Sequence, residues 1–228
     1  MANGLGRIPH PETPQARAAY PVTARPDYQT SLRTCTYWNE SGAWLDQGNT
    51  GTCVGNAFAH RYADGPVNHA GIDEAWARQL YVDASGDTSL QEGTSALAAC
   101  RVLKTRGEIT SYHWVTSASE LRNTILELGS VCVGINWYSS MDGPYQLHNG
   151  RAYFTVDTNS DLRGGHEILV NGINTVPQDG PPFYRIKNSW GRTWPGTKLG
   201  PGTARFALGD LEQLVFQEDG DAVLIQEV

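Results

Sequence analysis

An α+β fold is what this sequence predicts, on three observations: helical periodicity dominates up to about residue 110, strand alternation dominates after it, and no internal repeat divides the chain. Residues 1–34 carry Pro9, Pro11, Pro14, Pro21 and Pro26 with little apolar periodicity, and read as an extended arm. After Gly51 and Thr52, the recurrence of Val54, Ala57, Phe58 and Tyr62 predicts a helix that starts at Cys53 and stops near Gly65-Pro66, with Thr52 as N-cap. A second helix is expected over Asp73 to Val82 with Trp76 and Leu80 inward, and a third over Thr94 to Arg106, ended by Gly107 in the C′ position. Ser117-Ala118-Ser119-Glu120 is a capping box opening a short helix with Leu121, Ile125 and Leu128 on one face, closed by Gly129. Val131, Val133, Ile135 and Trp137 alternate as a strand, and further strands are expected over 152–156, 166–173, 183–188, 203–208 and 222–226.

Composition narrows the function classes. At 228 residues the chain can bury roughly 70 to 75% of its unfolded surface, enough for one or two lobes. A net charge of −7 with no basic block argues against nucleic acid or an anionic membrane as partner. No apolar run approaches the ~18 residues of a membrane span, and Met1 to Arg7 lacks the apolar core of a secretory signal. The expectation is a chain that is cytosolic at synthesis, or a mature form whose leader was removed. Cys35, Cys53, Cys100 and Cys132 are too few and too scattered for a disulfide framework or a metal site, which fits a reducing compartment. No cofactor or metal is expected: Glu218-Asp219-Gly220-Asp221 lacks the alternating oxygen ligands of a calcium loop. His10, His60, His69, His113 and His148 show no partner pattern and read as surface or structural.

Three segments carry chemistry. Leu45 to Phe58 contains Gln47 and, six residues later, Cys53; Gly164-Gly165-His166-Glu167 opens an apolar strand; Asn188-Ser189-Trp190-Gly191 ends another. A thiol with its ordinary pKa near ~8.5 is mostly protonated at neutral pH, and a helix N-terminus or a cation must pull it down before it can attack. Cys53 in a first helical turn has that setting. His166 would form the thiolate–imidazolium pair and later protonate the leaving amine. Asn188 would accept the other ring N–H and fix tautomer and rotamer, with Trp190 and Trp194 shielding that bond from water. The side-chain N–H of Gln47, together with the backbone N–H of Cys53, would receive the oxygen of a tetrahedral intermediate.

Gln, Cys, His and Asn in this order and in these local settings resemble the papain family of cysteine peptidases, from about Leu45 to the C-terminus. The resemblance implies a two-lobed fold, with Cys53 on a helical lobe of about 45–110, His166 and Asn188 on a barrel-like β lobe of about 111–228, and a substrate cleft between them. It also implies that Gly93 presents backbone groups to an extended peptide, that Trp190 belongs to the substrate-binding surroundings, and that Glu167 lines the main specificity pocket, where a carboxylate favours a basic side chain. Glu167 pointing to solvent or pairing with Arg163 is the plain alternative. Trp137 and Tyr138 fit either the cleft or the core.

The chain departs from the family pattern in several places. Thr50 stands where a second cysteine is usual, and Val54 where an aromatic residue is. The family's His and Asn are expected about 130 to 150 residues beyond the nucleophile, whereas His166 follows by 113 and Asn188 by 135. Pro195, after Arg192-Thr193-Trp194 and before Gly196, alters a turn. Nothing in residues 1–34 resembles the long helical pro-segment of papain-like zymogens, so control of activity is expected from elsewhere or from the arm itself.

The expected function is therefore a cysteine endopeptidase acting through an acyl-enzyme thioester on Cys53, with a peptide or protein substrate. The alternatives are a catalytically silent peptide-binding module, or acyl transfer and isopeptide cleavage with the same groups. Tethering to a larger assembly through the arm, in a bacterial or viral setting, is a further expectation.

Overall fold

The computed structural model describes residues 4–38, 44–143, 145–148, 151–195 and 202–228. Met1 to Asn3, Gly196 and the side chain of His148 lie outside the described set. Six helices are described: α1 (Thr13–Ala19), α2 (Cys53–Asp64), α3 (Glu74–Ser85), α4 (Ala96–Thr105), α5 (Ala118–Glu127) and α6 (Leu208–Phe216). The strands are β1 (Cys35–Tyr37), β2 (Ile109–Trp114), β3 (Val131–Tyr138), β4 (Gln146–His148), β5 (Arg151–Tyr153), β6 (Leu162–Asn174), β7 (Phe183–Lys187), β8 (Thr203–Ala207) and β9 (Asp221–Glu227).

The arm is not extended throughout. Pro14 lies in the first turn of α1, where the N–H it lacks has no helical partner anyway. Helix α1 is held by Arg17, whose Nη2 donates to the Gly220 carbonyl at 2.5 Å and whose guanidinium stacks 5.9 Å from the Trp114 ring. Beyond it the chain crosses α5, where Trp38 Nε1 donates to the Ile125 carbonyl at 2.8 Å.

Helix α2 is buried along its whole length, so its polar residues must find partners inside the protein. Arg61 Nη1 donates to Glu227 on β9 at 2.9 Å, and Lys187 Nζ, the last residue of β7, donates to Asp64 Oδ1 at 2.7 Å. Both ion pairs tie the nucleophile's helix to the sheet. His60, expected as structural, accepts from the Leu45 N–H at Nε2, 3.2 Å away. The Thr52 hydroxyl is taken by Thr50 at 2.8 Å and by Asn56 Nδ2 at 3.0 Å, so Thr52 sits at the N-cap position without capping an N–H. The Ser117 capping box is likewise half formed. Ser117 Oγ accepts from the Glu120 N–H at 3.3 Å, but the Glu120 carboxylate turns to the N–H and hydroxyl of Thr116.

The sheet runs in the order β2-β9-β3-β6-β7-β8-β5-β4, with β1 added beside β6. Among the described residues every strand pairing is antiparallel except β5 with β8, and β2 and β4 at the two ends are not joined, so the expected barrel-like lobe is an open sheet. Side-chain alternation divides β3, β6 and β9 between two cores. Val131, Val133, Ile135, Ile168, Val170, Ala222 and Leu224 face a β-side core with Trp137, Tyr184, Phe206 and α6, while Cys132, Leu169, Val223 and Ile225 face α2 and α4. Of the expected strands, 152–156 ends early. β5 stops at Tyr153, and Phe154 turns its ring onto Phe206, with centroids 4.3 Å apart.

Candidate active site

Strand alternation sends His166 and Glu167 to opposite faces of β6. His166 pairs with Ile135 in register and packs on Trp137 and Trp190 of the β-side core, whereas Glu167 pairs with Gly134 and leaves by the other face. Asn188 follows directly on β7, the antiparallel neighbour of β6, and so arrives beside the imidazole. His166 Nε2 and Asn188 Oδ1 lie 2.8 Å apart. The Ser189 N–H also donates to that Oδ1 at 2.8 Å, so the oxygen is an acceptor, Nε2 carries the ring proton, and Nδ1 keeps its lone pair. Among the described residues the buried Nδ1 has no hydrogen-bond partner, the thiol of Cys53 included.

Aromatic rings wall off this pair. Trp190 stacks on His166 at 4.9 Å, Trp137 meets it edge-on at 5.0 Å, and Trp194 meets Trp190 edge-on at 5.5 Å. Trp190, expected near the substrate, is thus buried as the cover of the imidazole, and Trp137 and Tyr138 are core residues. Burial pushes the His166 pKa down to about 4, against the opposing pull of Asn188.

Cys53 opens α2, as its sequence setting predicts, but its thiol is not activated. Its side chain is fully buried, and although the backbone N–H groups of Glu167, Gly6 and Val54 face the sulfur, loss of water outweighs them and pushes the pKa up to about 12. Thiol and imidazole are therefore both neutral. The Glu167 amide places the sulfur against the backbone of the residue after His166.

The arm lies against this thiol, with the Gly6 N–H facing the sulfur. Gly4 N–H donates to the Gly48 carbonyl at 3.0 Å, the N–H groups of Gly6 and Arg7 share the Gly165 carbonyl at 3.1 and 3.0 Å, and Gly6 and Ile8 bracket Thr94 in a short parallel pairing with both bonds at 2.8 Å. Gln47, buried, directs Nε2 at the Gly4 carbonyl, 3.1 Å away, and at the Thr50 carbonyl, 2.7 Å away. Its Oε1 is pinned by the Ser189 hydroxyl at 2.5 Å. Glycine is required for this fit: a Cβ on Gly6 would lie 2.0 Å from the Gly51 carbonyl oxygen, and one on Gly165 would lie 2.1 Å from that of Arg7.

Gly93 differs from expectation by one residue. Its N–H is occupied by Tyr81 Oη at 2.9 Å, and Thr94 supplies the peptide-facing N–H and carbonyl. Gly93 contributes room, since a Cβ there would lie 2.3 Å from the Gly6 oxygen. Glu167 neither reaches solvent nor pairs with Arg163, which bonds Asp142; its carboxylate faces the guanidinium of Arg7 together with Asp221.

Gln47 is bonded to Ser189, Asn188 to His166, and Cys53 lies against the backbone of Glu167 and Gly6, so the four predicted residues fall in one region. Sequence reasoning missed Gly6, Arg7, Thr94, Gly134 and Asp221. The alternating glycines of Gly4-Leu5-Gly6 are a legible sign of close backbone approach, whereas nothing local marks Asp221 as a neighbour of residue 7.

The fold is the papain-like one. The solved structure of xylellain, a cysteine protease from Xylella fastidiosa, superposes with a TM-score of 0.75 at 18% identity, covering 99% of this chain and 97% of that one. In sequence, the chain is similar to a cathepsin L-like proteinase of Fasciola hepatica, at 25% identity over 69% of this chain and 56% of that protein. It is also similar to cysteine proteinase 3 of Dictyostelium discoideum, at 27% identity over 68% of this chain and 40% of that protein. The chain thus spans about half the length of the curated relatives it matches. No family model matches it.

Proposed function

We propose that the protein is a cysteine endopeptidase whose own N-terminal arm occupies the substrate cleft. The observation that carries this reading is the arm itself. Gln47, Thr94 and Gly165 bind the main chain of Gly4 to Ile8, so the cleft already holds an extended peptide across Cys53. Bonds to the backbone are indifferent to sequence, as a site for protein substrates requires.

In the open state, water returns to the cleft and both shifts relax, the thiol downward and the imidazole upward. Cys53 then attacks the peptide carbonyl as thiolate, the Gln47 N–H stabilises the oxyanion, and His166 protonates the leaving amine. Asn188 holds the imidazole so that Nδ1 takes and returns the proton, with Trp190 covering that hydrogen bond. Water releases the thioester by the same groups. Gly93 and Glu167 border the bound peptide.

Mass spectrometry of a peptide mixture incubated with the Arg7→Ala chain, and with the same chain also carrying Cys53→Ala, tests this. Cleavage by the first and none by the second is expected. Cleavage by neither would favour the silent module, whose neutral thiol and imidazole match the plugged state described above. Transfer to an added amine in place of hydrolysis would favour the acyl transferase.

A further inference from the structure

The turn of residues 87–92, between α3 and α4, lies beside the loop that leads into Cys53. The Gly51 N–H donates to the Leu90 carbonyl at 2.7 Å, and a Cβ on Gly51 would lie 3.1 Å from both the Gln91 carbonyl oxygen and the Gly93 nitrogen. No disulfide joins turn and loop, because all four cysteines are free thiols. What shapes the turn is the carboxylate of Asp87. Its Oδ1 accepts from the N–H and the hydroxyl of Ser89 at 2.7 and 2.5 Å. Its Oδ2 accepts from the N–H groups of Gln91 and Glu92 at 2.7 and 2.9 Å and from the Tyr81 hydroxyl at 2.7 Å. The Glu92 N–H first, then Ser89 and Tyr81, hold the carboxyl well below the usual carboxylate range, so the centre of the turn is a charged acceptor. Leu90, in mid-turn, has a φ of 64°, in the left-handed region that a side chain seldom adopts. Such strain persists only where the surroundings over-determine it, as the Asp87 bonds to either side and the Gly51 bond do here.

The same carboxylate reaches the cleft through one intermediary. Tyr81, buried on α3, gives its hydroxyl proton to Asp87, which leaves the lone pairs of Oη for the Gly93 N–H, donated at 2.9 Å. Asp87, Tyr81 and Gly93 are thus a chain of hydrogen bonds ending on a charge, and each bond polarises the next. Thr94 follows directly, with its N–H on the Gly6 carbonyl and its own carbonyl taking the Ile8 N–H, both at 2.8 Å. On its far side, Ser95 caps α4 by accepting from the Ala98 N–H at 3.2 Å. Thr94 is therefore held between two anchored neighbours, and the anchor on the side of the turn is the one Asp87 sets.

We propose that Asp87 and Tyr81 are positioning residues of the cleft: acting through Gly93, they set Thr94 where its N–H and carbonyl receive the main chain of a substrate. The proposal deepens the peptidase reading and rests on it for the substrate. The arm already occupies the same two groups, so the positioning is also testable without turnover.

In the full chain carrying Arg7→Ala, kcat/KM is measured for a fluorogenic tripeptide amide and for p-nitrophenyl acetate, which has no main chain to offer Thr94. Adding Asp87→Asn or Tyr81→Phe is expected to lower the ratio of peptide to ester at least about fivefold, the effect of losing one well-placed hydrogen bond. An arm lying over the thiol slows both substrates alike and cancels in that ratio, as does a general loss of folded protein. A smaller change in both variants overturns the proposal. If neither substrate is hydrolysed, the peptidase reading fails, and amide hydrogen exchange in the otherwise unaltered chain decides the positioning. Either variant should then speed exchange at Gly93, Thr94 and Ile8 at least about fivefold, while the amides of β3, a strand paired on both sides, stay within about twofold. Acceleration of both sets alike, or of neither, overturns it. Tyr81→Phe alone serves for these measurements should Asp87→Asn fail to fold.

Discussion

The two ends of the cleft respond oppositely to the same loss of water. At Cys53 and His166 burial separates the two pKa values, thiol up to about 12 and imidazole down to about 4, so neither group carries charge. At Asp221 and Arg7, a few residues along the same arm, burial encloses an ion pair, while Glu167 beside them is pushed by burial well above the usual carboxylate range. The difference lies in whether a counter-charge is enclosed with the group. His166 has only the neutral Asn188 and indole rings around it, whereas Asp221 has a guanidinium. One stretch of five residues thus lies over a neutral thiol at one end and is anchored by charge at the other.

The comparison breaks most sharply at the neutral end. In the Arg7→Ala background, Cys53→Ala or His166→Ala is expected to lower kcat/KM by about 10⁴-fold or more, because both act as one unit. A fluorogenic assay still running after either change would remove that end from the chemistry. Gln47→Ala should cost about 10²-fold in kcat with KM little moved, the signature of a donor used in the transition state; a change confined to KM would reduce Gln47 to a clamp on the arm.

Next in size is the link between the ends. Freeing the anchor by Arg7→Ala should speed alkylation of Cys53 by iodoacetamide at neutral pH by at least about tenfold, since thiolate is the reactive form. An unchanged rate in peptide-mapped samples would show that the arm does not keep the thiol dehydrated.

Acid sharpens the contrast further. The His166 pKa is lower folded than unfolded, so its contribution to stability is whole above about 6.5 and is lost as pH falls through about 4. A shift of that size corresponds to about 3 kcal/mol. Melting temperature should decline over that window, and His166→Gln should flatten the decline. As a distant control, Ser117→Ala removes a cap outside the cleft and should cost about 1 kcal/mol without altering hydrolysis.

Local sequence carried much of this. The existence and order of α2, α3, α4 and α5 follow from glycines and 3.6-residue spacing, and β3, β6, β7 and β9 from alternation, although α3 runs three residues past the expected Val82, α4 starts two after the expected Thr94, and Thr52 caps no N–H. Helix α6 was readable in Leu208, Leu211, Leu214 and Val215 but lay between two expected strands, and α1 was hidden by prolines that a first helical turn tolerates. Gln47, Cys53, His166 and Asn188 were legible because each sits in a short segment with its own local logic. Their protonation was not, because it depends on solvent exclusion by residues more than forty positions away. The surroundings of Arg7 join residues 7, 134, 167 and 221, a juxtaposition that only the sheet order creates.

Because His166 and Glu167 leave β6 by opposite faces, an imidazole and a carboxylate one position apart in sequence are set in separate surroundings, one among indole rings and the other beside a guanidinium. A protein engineer could exchange the two acids and Gly134 for apolar residues without touching the imidazole. The same change would remove the partners of Arg7 and so unfasten the arm that lies over the thiol.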